Sequence, residues 1–136
     1  MTTTPATSPT VRLRVGALAV GGTVLATALL WTAAQFLGIE LRVDPRNGRP
    51  PGVISLPFAA TLTLVVSAAG WGVRALLDRL VRRASLVWTV LAILVLLASF
   101  LPLLAVEATG ATKTILALMH AAVAAVLIPT IGRRSP

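Results

Sequence analysis

The sequence predicts an all-α integral membrane protein, a four-helix bundle of two transmembrane hairpins with both termini in the cytoplasm. Apolar residues make up 57% of the chain and charged residues only 12%, against about 25% charged residues in soluble domains. Four stretches carry no Asp, Glu, Lys or Arg: Val15–Ile39, Pro50–Val73, Ala84–Val106 and Thr114–Gly132. Because about 30 Å of hydrocarbon takes roughly 20 helical residues to cross, each stretch is close to or longer than one span.

The charges themselves lie at the termini and in three short connections, and they sum to +8. Basic residues that flank apolar spans set topology and meet anionic lipid head groups, so we expect no nucleic-acid binding. The chain has no cysteine, which excludes disulfides and thiol chemistry. Its 136 residues allow one domain, which we place at residues 15–134.

The first helix is predicted at about residues 15–37. Residues 1–14 should form a disordered cytoplasmic tail, because the first ten are rich in Thr, Pro and Ser. A cleaved signal peptide is the alternative, since Arg12 and Arg14 precede the apolar run and Thr32–Ala34 offers small residues for cleavage. Signal cores are about 7–15 residues long, whereas this run is longer, which favours a retained helix.

The connection to the second helix is the longest and most polar. Alternating apolar and charged side chains in Ile39–Val43 predict a short extended segment, and Asp44–Gly48 has the composition of a turn. Ser55 is the expected N-cap of a helix at about 55–77, with Pro57 tolerated in its first turn.

A basic joint, Asp78–Arg83, leads into the third helix at about 86–106. Pro102 removes one backbone hydrogen bond and should bend the last turn of that helix. Glu107–Lys113 forms a tight turn into the fourth helix, which is predicted at about 114–132.

Orientation follows from the distribution of basic residues. The termini and the joint carry eight of them: Arg12, Arg14, Arg74, Arg79, Arg82, Arg83, Arg133 and Arg134. The opposite side carries four: Arg42, Arg46, Arg49 and Lys113. Because cytoplasmic segments are enriched in Lys and Arg, we expect a plasma-membrane protein with both termini inside. Trp71 and Trp88 flank the joint, where an interfacial aromatic belt would lie.

Small residues are expected to hold the helices together, since lipid is as apolar as leucine and burial alone supplies no attraction. Candidate contacts spaced by four residues are Ala17/Gly21, Gly22/Ala26, Ala68/Gly72 and Ala117/Ala121/Ala125. The third helix is bulky almost all round and should have the most lipid exposure.

Polar side chains inside the spans are the candidate functional residues. His120 is the only histidine and is predicted to lie about 10 Å deep from the outer side. Gln35, Thr61 and Ser99 fall at comparable depth on the other helices, so the four form a candidate intramembrane cluster. An ionisable residue within a span faces the bundle interior and is a candidate functional site.

Two interpretations of this cluster stay open. In one, His120 lines an outward-opening pocket with Glu107 and Lys113 at its outer mouth, and it binds a small polar ligand or relays a proton. In the other, neutral His120 hydrogen-bonds Gln35 or a threonine and joins the fourth helix to the first.

Arg79, Arg82 and Arg83 are expected to set topology and to contact lipid head groups. One histidine without cysteine or a nearby carboxylate is too poor a donor set for a metal, and no nucleophile motif or phosphate loop occurs. We therefore expect no metal, no cofactor and no enzyme activity.

Features from the second helix to the end of the sequence, which cover most of the chain, carry a resemblance to a known family. Its features are a proline-led second helix that closes on Gly70–Gly72, Trp88 after a basic joint, Leu116–His120 and Val126–Pro129. In these the chain resembles a family of small actinobacterial membrane proteins known as domain of unknown function 6069. The resemblance implies the fold and brings no known activity or site residue.

These observations favour a non-enzymatic structural or accessory membrane component. Its expected partners are the lipid bilayer and either further copies of itself or another membrane protein. The alternative is a small transporter or ligand-binding membrane protein that uses the polar pocket around His120.

Overall fold

The computed structural model describes residues 8–133, which form four α-helices and one two-stranded antiparallel hairpin. The elements are α1 (Pro9–Phe36), β1 (Arg42–Val43), β2 (Gly52–Val53), α2 (Leu56–Leu80), α3 (Ala84–Ala105) and α4 (Gly110–Gly132). Every helix is long and apolar enough to cross a membrane, which confirms the expectation of four apolar helices. Residues 1–7 of the predicted tail and Arg134 lie outside the described residues.

Two helices begin earlier than the charge pattern indicated. The α1 helix begins at Pro9, because the Ser8 hydroxyl accepts a hydrogen bond from the Val11 amide and a proline suits the first turn. Arg12 and Arg14 are therefore helical, although the sequence placed them in a tail. The α4 helix begins at Gly110, because Thr109 Oγ1 accepts from the Thr112 amide at 3.1 Å.

The predicted cap of α2 is confirmed. Ser55 precedes the helix in an extended conformation, and its hydroxyl accepts a hydrogen bond from the Phe58 amide at 3.3 Å. The extended segment before it is also present and pairs as a hairpin, with Arg42 opposite Val53. Arg46 and Gly48 take positive φ angles of 51° and 82° in the connecting turn, a conformation that glycine adopts without steric cost.

The hairpin covers one end of the bundle, which we call the hairpin end. Leu41 is completely buried there, and the Trp31 indole donates to the Ile54 carbonyl at 3.0 Å. Asp44 and Glu107 exchange two backbone hydrogen bonds of 2.9 and 3.0 Å, which tie the hairpin to the segment before α4.

Helix α1 packs extensively against both α4 and α2, while α3 packs mainly against α4. Helices α2 and α3 contact each other much less, so the bundle is open along one side. Only 6% of the most apolar stretch of α3 is buried in the bundle, which is the lowest share among the four helices of the described chain. Helix α3 is thus the least buried of the four, which agrees with the expectation that it has the most exposure.

The buried side of α1 is a line of small and hydroxyl residues that we call the α1 seam: Gly16, Ala19, Thr23, Thr27 and Ala34. Thr23 shares a fully buried hydrogen bond of 2.7 Å with Ser67 of α2, and a second pair joins Thr27 to Thr63 at 3.1 Å. Small residues and hydrogen bonds therefore do hold α1 to α2, as lipid-embedded helices require.

The particular small residues predicted for these contacts were mostly wrong. Ala17, Gly21, Ala68 and Gly72 are exposed, as are two members of the predicted alanine stripe of α4, Ala121 and Ala125. Helix α4 instead buries larger side chains, among them Ile115, Leu116, Met119 and Leu127. Gly16 is part of the α1 seam because the Trp71 indole occupies the space that a Cβ atom at position 16 would fill.

Gly16→Ala should destabilise the bundle, because its Cβ would overlap the Trp71 ring and overpacking typically costs about 1–3 kcal/mol. The matched control is Gly21→Ala, where a Cβ meets nothing within 4 Å. We expect the control to leave the free energy of unfolding unchanged or slightly higher, since alanine favours helix. Reversible unfolding in mixed micelles measures both, and equal stability of the two variants would contradict the packing described.

Candidate functional site

The open side of the bundle is an apolar groove of about 600 Å³ between α2 and α3, with α4 as its floor. It runs along α2 from Phe58 to Val73 and along α3 from Trp88 to Val106. Val43 and Ile54 bound it at the hairpin end. No Asp, Glu, Lys or Arg lies among its lining residues in the described chain.

The dimensions of this groove limit what fits it. At 1.5 Å per residue its walls are about 22–27 Å long, close to the roughly 30 Å thickness of bilayer hydrocarbon.

His120 lines the groove from the middle of α4. It lies about 15 Å from the start of the helix, deeper than expected because α4 begins at Gly110. Its Nδ1 atom is 2.6 Å from the Leu116 carbonyl oxygen, and its ring centroid is 5.9 Å from that of Phe100.

The hydrogen bond to Leu116 defines the chemistry of the His120 ring. A carbonyl oxygen only accepts, so Nδ1 carries a proton and, in the neutral ring, Nε2 is left as an acceptor. This bond lies within α4. The expected hydrogen bond from His120 to Gln35 or a threonine is therefore not the one formed, and His120 does not join α4 to α1 by this bond.

Of the four predicted cluster residues, the structure brings only His120 and Ser99 to the groove. Ser99 donates its hydroxyl to the Leu96 carbonyl at 2.6 Å. Gln35 and Thr61 are exposed and lie outside the groove lining. When a helix is apolar on all sides, its sequence does not show which side faces the neighbouring helices. The predicted depth alone therefore could not show whether Gln35 and Thr61 face the groove.

Two threonines that the sequence analysis did not single out complete the polar part of the groove. Thr27 and Thr63 both line it and are hydrogen-bonded to each other. A signal for them is present in the sequence: Thr23 and Thr27 are four residues apart on α1, as are Thr63 and Ser67 on α2. Matching hydroxyl pairs at helical spacing indicate two interhelical contacts one turn apart.

Glu107 and Lys113, which the sequence analysis expected at an outer mouth, lie at the hairpin end, and the hairpin covers that end. The Glu107 carboxylate is 3.3 Å from the Arg46 guanidinium, and Lys113 is half-buried. Because Val43 and Ile54 also bound the groove there, its open side faces laterally between α2 and α3. The structure thus differs from the outward-opening pocket that the sequence analysis considered.

At the other end of the bundle, which we call the arginine end, side chains of α2 and α3 donate hydrogen bonds to carbonyl groups near the C-terminus of α4. Arg74 of α2 is 6% exposed, donates from Nε to the Ile131 carbonyl at 3.2 Å and pairs with Asp78. Ser85 donates to the Gly132 carbonyl, and the Trp88 indole donates to the Ile128 carbonyl at 3.4 Å. Arg74 and Ser85 thereby satisfy two of the carbonyls that a helix leaves unpaired at its C-terminus.

Trp88 is buried, so it packs inside the bundle rather than in the predicted interfacial belt. Arg79, Arg82 and Arg83 are exposed at the arginine end, beyond the last groove residues. Within residues 8–133, no three His, Asp or Glu side chains are grouped so that they could hold a metal ion.

Four apolar helices around a lateral groove define a membrane-type helical bundle. Residues 7–136, nearly the whole chain, match the family described as Family of unknown function (DUF6069), and the chain belongs to this family. The resemblance seen in the sequence is confirmed. No curated protein and no solved structure matches the chain.

His120→Leu should affect stability less than Thr23→Val, because the His120 bond lies within one helix whereas the buried Thr23–Ser67 bond joins two. Interhelical hydrogen bonds in membranes contribute about 0.6–1.7 kcal/mol, which is the loss expected for Thr23→Val. Unfolding in mixed micelles compares the two variants. A loss for His120→Leu that equals or exceeds that for Thr23→Val would show that His120 joins helices.

Proposed function

We propose that the protein is a non-enzymatic, multi-pass component of the cell membrane that binds the hydrocarbon chain of a lipid-like molecule between α2 and α3. The observation that carries this proposal is the groove, which has nearly the length of the bilayer hydrocarbon and an almost entirely apolar lining. Within the described residues, its polar lining consists of Thr27, Thr63, Ser99 and His120, beside the indole of Trp88. Packing with CH₂ groups is the main interaction that such a lining provides.

The same lining supports a binding role rather than a catalytic one. His120 Nδ1 is engaged with the Leu116 carbonyl, and no carboxylate lines the groove within the described residues to act beside the ring. Nucleophilic catalysis needs a side chain that the histidine can activate, and the groove hydroxyls of Ser99, Thr27 and Thr63 are already hydrogen-bonded to other partners. A non-enzymatic lipid-binding or accessory role requires no such side chain.

A second candidate is a structural component whose groove and α3 surface pack against another copy or another membrane protein. The observation that favours it is the breadth of the exposed apolar surface of α3, which includes Leu94, Leu97 and Leu101. Such a surface also suits lipid alone. A transporter remains the alternative for the groove itself, and it would move its ligand laterally from the bilayer.

For topology, we propose that the arginine end lies in the cytoplasm, with both termini. The support is the excess of arginines at that end, which the positive-inside rule associates with the cytoplasmic face. At the hairpin end, Glu40 and Glu107 pair with Arg42 and Arg46 at 3.1 and 3.3 Å.

Reporter fusions test this orientation. Green fluorescent protein fused after the C-terminus should fluoresce, and alkaline phosphatase inserted after Gly48 in the hairpin turn should be active, because the first reporter needs the cytoplasm and the second an oxidising exterior. The exchanged pair of fusions serves as the control and should be inactive. Active phosphatase at the C-terminus would reject the proposed orientation.

Ala69→Phe tests the binding function, because Ala69 lines the groove and a phenyl ring there would fill part of the groove. Ala68→Phe is the matched control, since Ala68 is next to Ala69 in the sequence but is exposed outside the groove lining. Mass spectrometry of lipid retained by the purified full chain should find it retained by wild type and Ala68→Phe and severalfold reduced in Ala69→Phe.

Equal lipid retention by the two variants would reject the groove as a lipid site. If Ala69→Phe also dissociated an oligomer while its lipid content stayed unchanged, the second candidate would be favoured. Size-exclusion chromatography with light scattering provides that comparison.

A further inference from the structure

We infer that the molecule bound in the groove is a long hydrocarbon chain with a hydroxyl group along its length, and that this hydroxyl donates a hydrogen bond to Nε2 of His120. This inference rests on the proposed function, because it names the kind of chain that the groove binds. It starts from an acceptor atom that the protein itself leaves unused inside an apolar groove.

The acceptor is the second ring nitrogen of His120. Its Nδ1 atom faces the Leu116 carbonyl at 2.6 Å, so the lone pair of the neutral ring is on Nε2. No carboxylate lines the groove in the described chain, and an unpaired charge within hydrocarbon is costly, which favours the neutral ring. Within residues 8–133, Nε2 has no hydrogen-bond partner.

This nitrogen is accessible, and the ring that carries it is held in place. Every fully buried side-chain nitrogen and oxygen of the described residues has a hydrogen-bond partner. Because Nε2 has none, it is not sealed inside the protein, and the groove is the cavity that His120 lines. The bond to Leu116 and the Phe100 ring, 5.9 Å away between centroids, restrain the imidazole. A restrained acceptor loses little freedom when a ligand binds.

The other polar groups of the lining indicate which donor suits the site. Ser99 and Trp88 already donate to backbone carbonyls of α3 and α4, and the Thr27–Thr63 pair uses one of its two hydroxyl hydrogens. An ammonium group would find no carboxylate in the described lining, and an amide would bring a carbonyl that also needs a donor. A hydroxyl group is the donor that adds the least further polarity.

The depth of His120 places this hydroxyl along the chain rather than at its end. His120 lies about 15 Å from the start of α4 and about 18 Å from its end. On the same helix, Leu116 and Met119 line the groove on one side of it, and Leu127 and Ile128 line it on the other. A ligand that reaches His120 therefore has apolar surface on both sides of its hydroxyl group.

The experiment is pairwise competition between fatty acids for the purified full chain, read by native mass spectrometry. Stearate is the plain chain. In extended 12-hydroxystearate the hydroxyl-bearing carbon lies about 12–13 Å from the carboxyl carbon, close to the depth of His120. Wild type should retain 12-hydroxystearate over stearate by about threefold or more, which is the gain expected from one hydrogen bond within a membrane.

Two further fatty acids test the assignment without altering the protein. In 12-oxostearate a carbonyl replaces the hydroxyl at the same carbon and cannot donate. In 2-hydroxystearate the hydroxyl lies beside the carboxylate, far from the depth of His120. Both should be retained about as well as stearate. Retention of either one as strong as that of 12-hydroxystearate would overturn the assignment to a mid-chain donor.

Substitutions assign the acceptor. H120F removes Nε2 and keeps an aromatic ring beside Phe100, so it should bind 12-hydroxystearate and stearate about equally. The matched control is Q35L, which removes a polar side chain that is exposed outside the groove lining, and it should keep the wild-type preference. A preference that persists in H120F but is lost in T63V would assign the hydroxyl to the threonine pair and reject His120.

The outcomes separate failure of this inference from failure of the proposed function. If wild type shows no preference for 12-hydroxystearate while Ala69→Phe still reduces the retention of stearate, the hydroxyl site is rejected and chain binding stands. If wild type retains none of the fatty acids, or if Ala69→Phe retains them as wild type does, the proposed function itself fails. Should H120F not fold, the comparison of the four fatty acids on wild type decides.

Discussion

The close approach of α1 to its neighbours is the contact on which the rest of this bundle depends. Apolar burial gives no net attraction between helices in lipid, so packing of small residues and interhelical hydrogen bonds must supply it. The α1 seam provides both: Gly16 receives the Trp71 ring, and Thr23 is hydrogen-bonded to Ser67. Helix α3 has no comparable seam and packs mainly on α4. The separation of α2 from α3, and hence the groove, follows from this asymmetry.

The groove stays open because the bundle is held together at its two ends. One buried cluster lies near the hairpin end and includes Leu41 and Met119; the other lies near the arginine end around Trp88 and Leu127. Polar contacts reinforce each cluster, with the Thr112 hydroxyl donating to the Glu40 carbonyl at 3.0 Å at the hairpin end. Arg74 holds the Ile131 carbonyl at the other. A bundle fixed at both ends can keep a lateral opening between them without losing its topology.

The charge pattern of the sequence predicts the number of helices, because charged residues are excluded from hydrocarbon, but the starts of α1 and α4 and the end of α2 lie three or more residues outside the predicted bounds. Local capping chemistry was also accessible, as Ser55 demonstrates. The rotation of each helix was not, since lipid-facing and protein-facing surfaces are equally apolar and periodicity does not mark the buried side. That is why Ala17 was expected in a contact that Gly16 makes, and why Gln35 was expected beside His120.

The hydrogen bond that His120 forms, and the groove that it lines, could not be predicted from the sequence. Its protonated Nδ1 is already satisfied by the Leu116 carbonyl of its own helix, so the ring needs no neighbouring helix for that proton. The acceptor left on the neutral ring belongs to a residue that lines an otherwise apolar groove. A plain hydrocarbon chain offers no donor to it, whereas a hydroxyl-bearing chain does. If the proposed function holds, the position of His120 therefore bears on which hydrocarbon chain the groove binds.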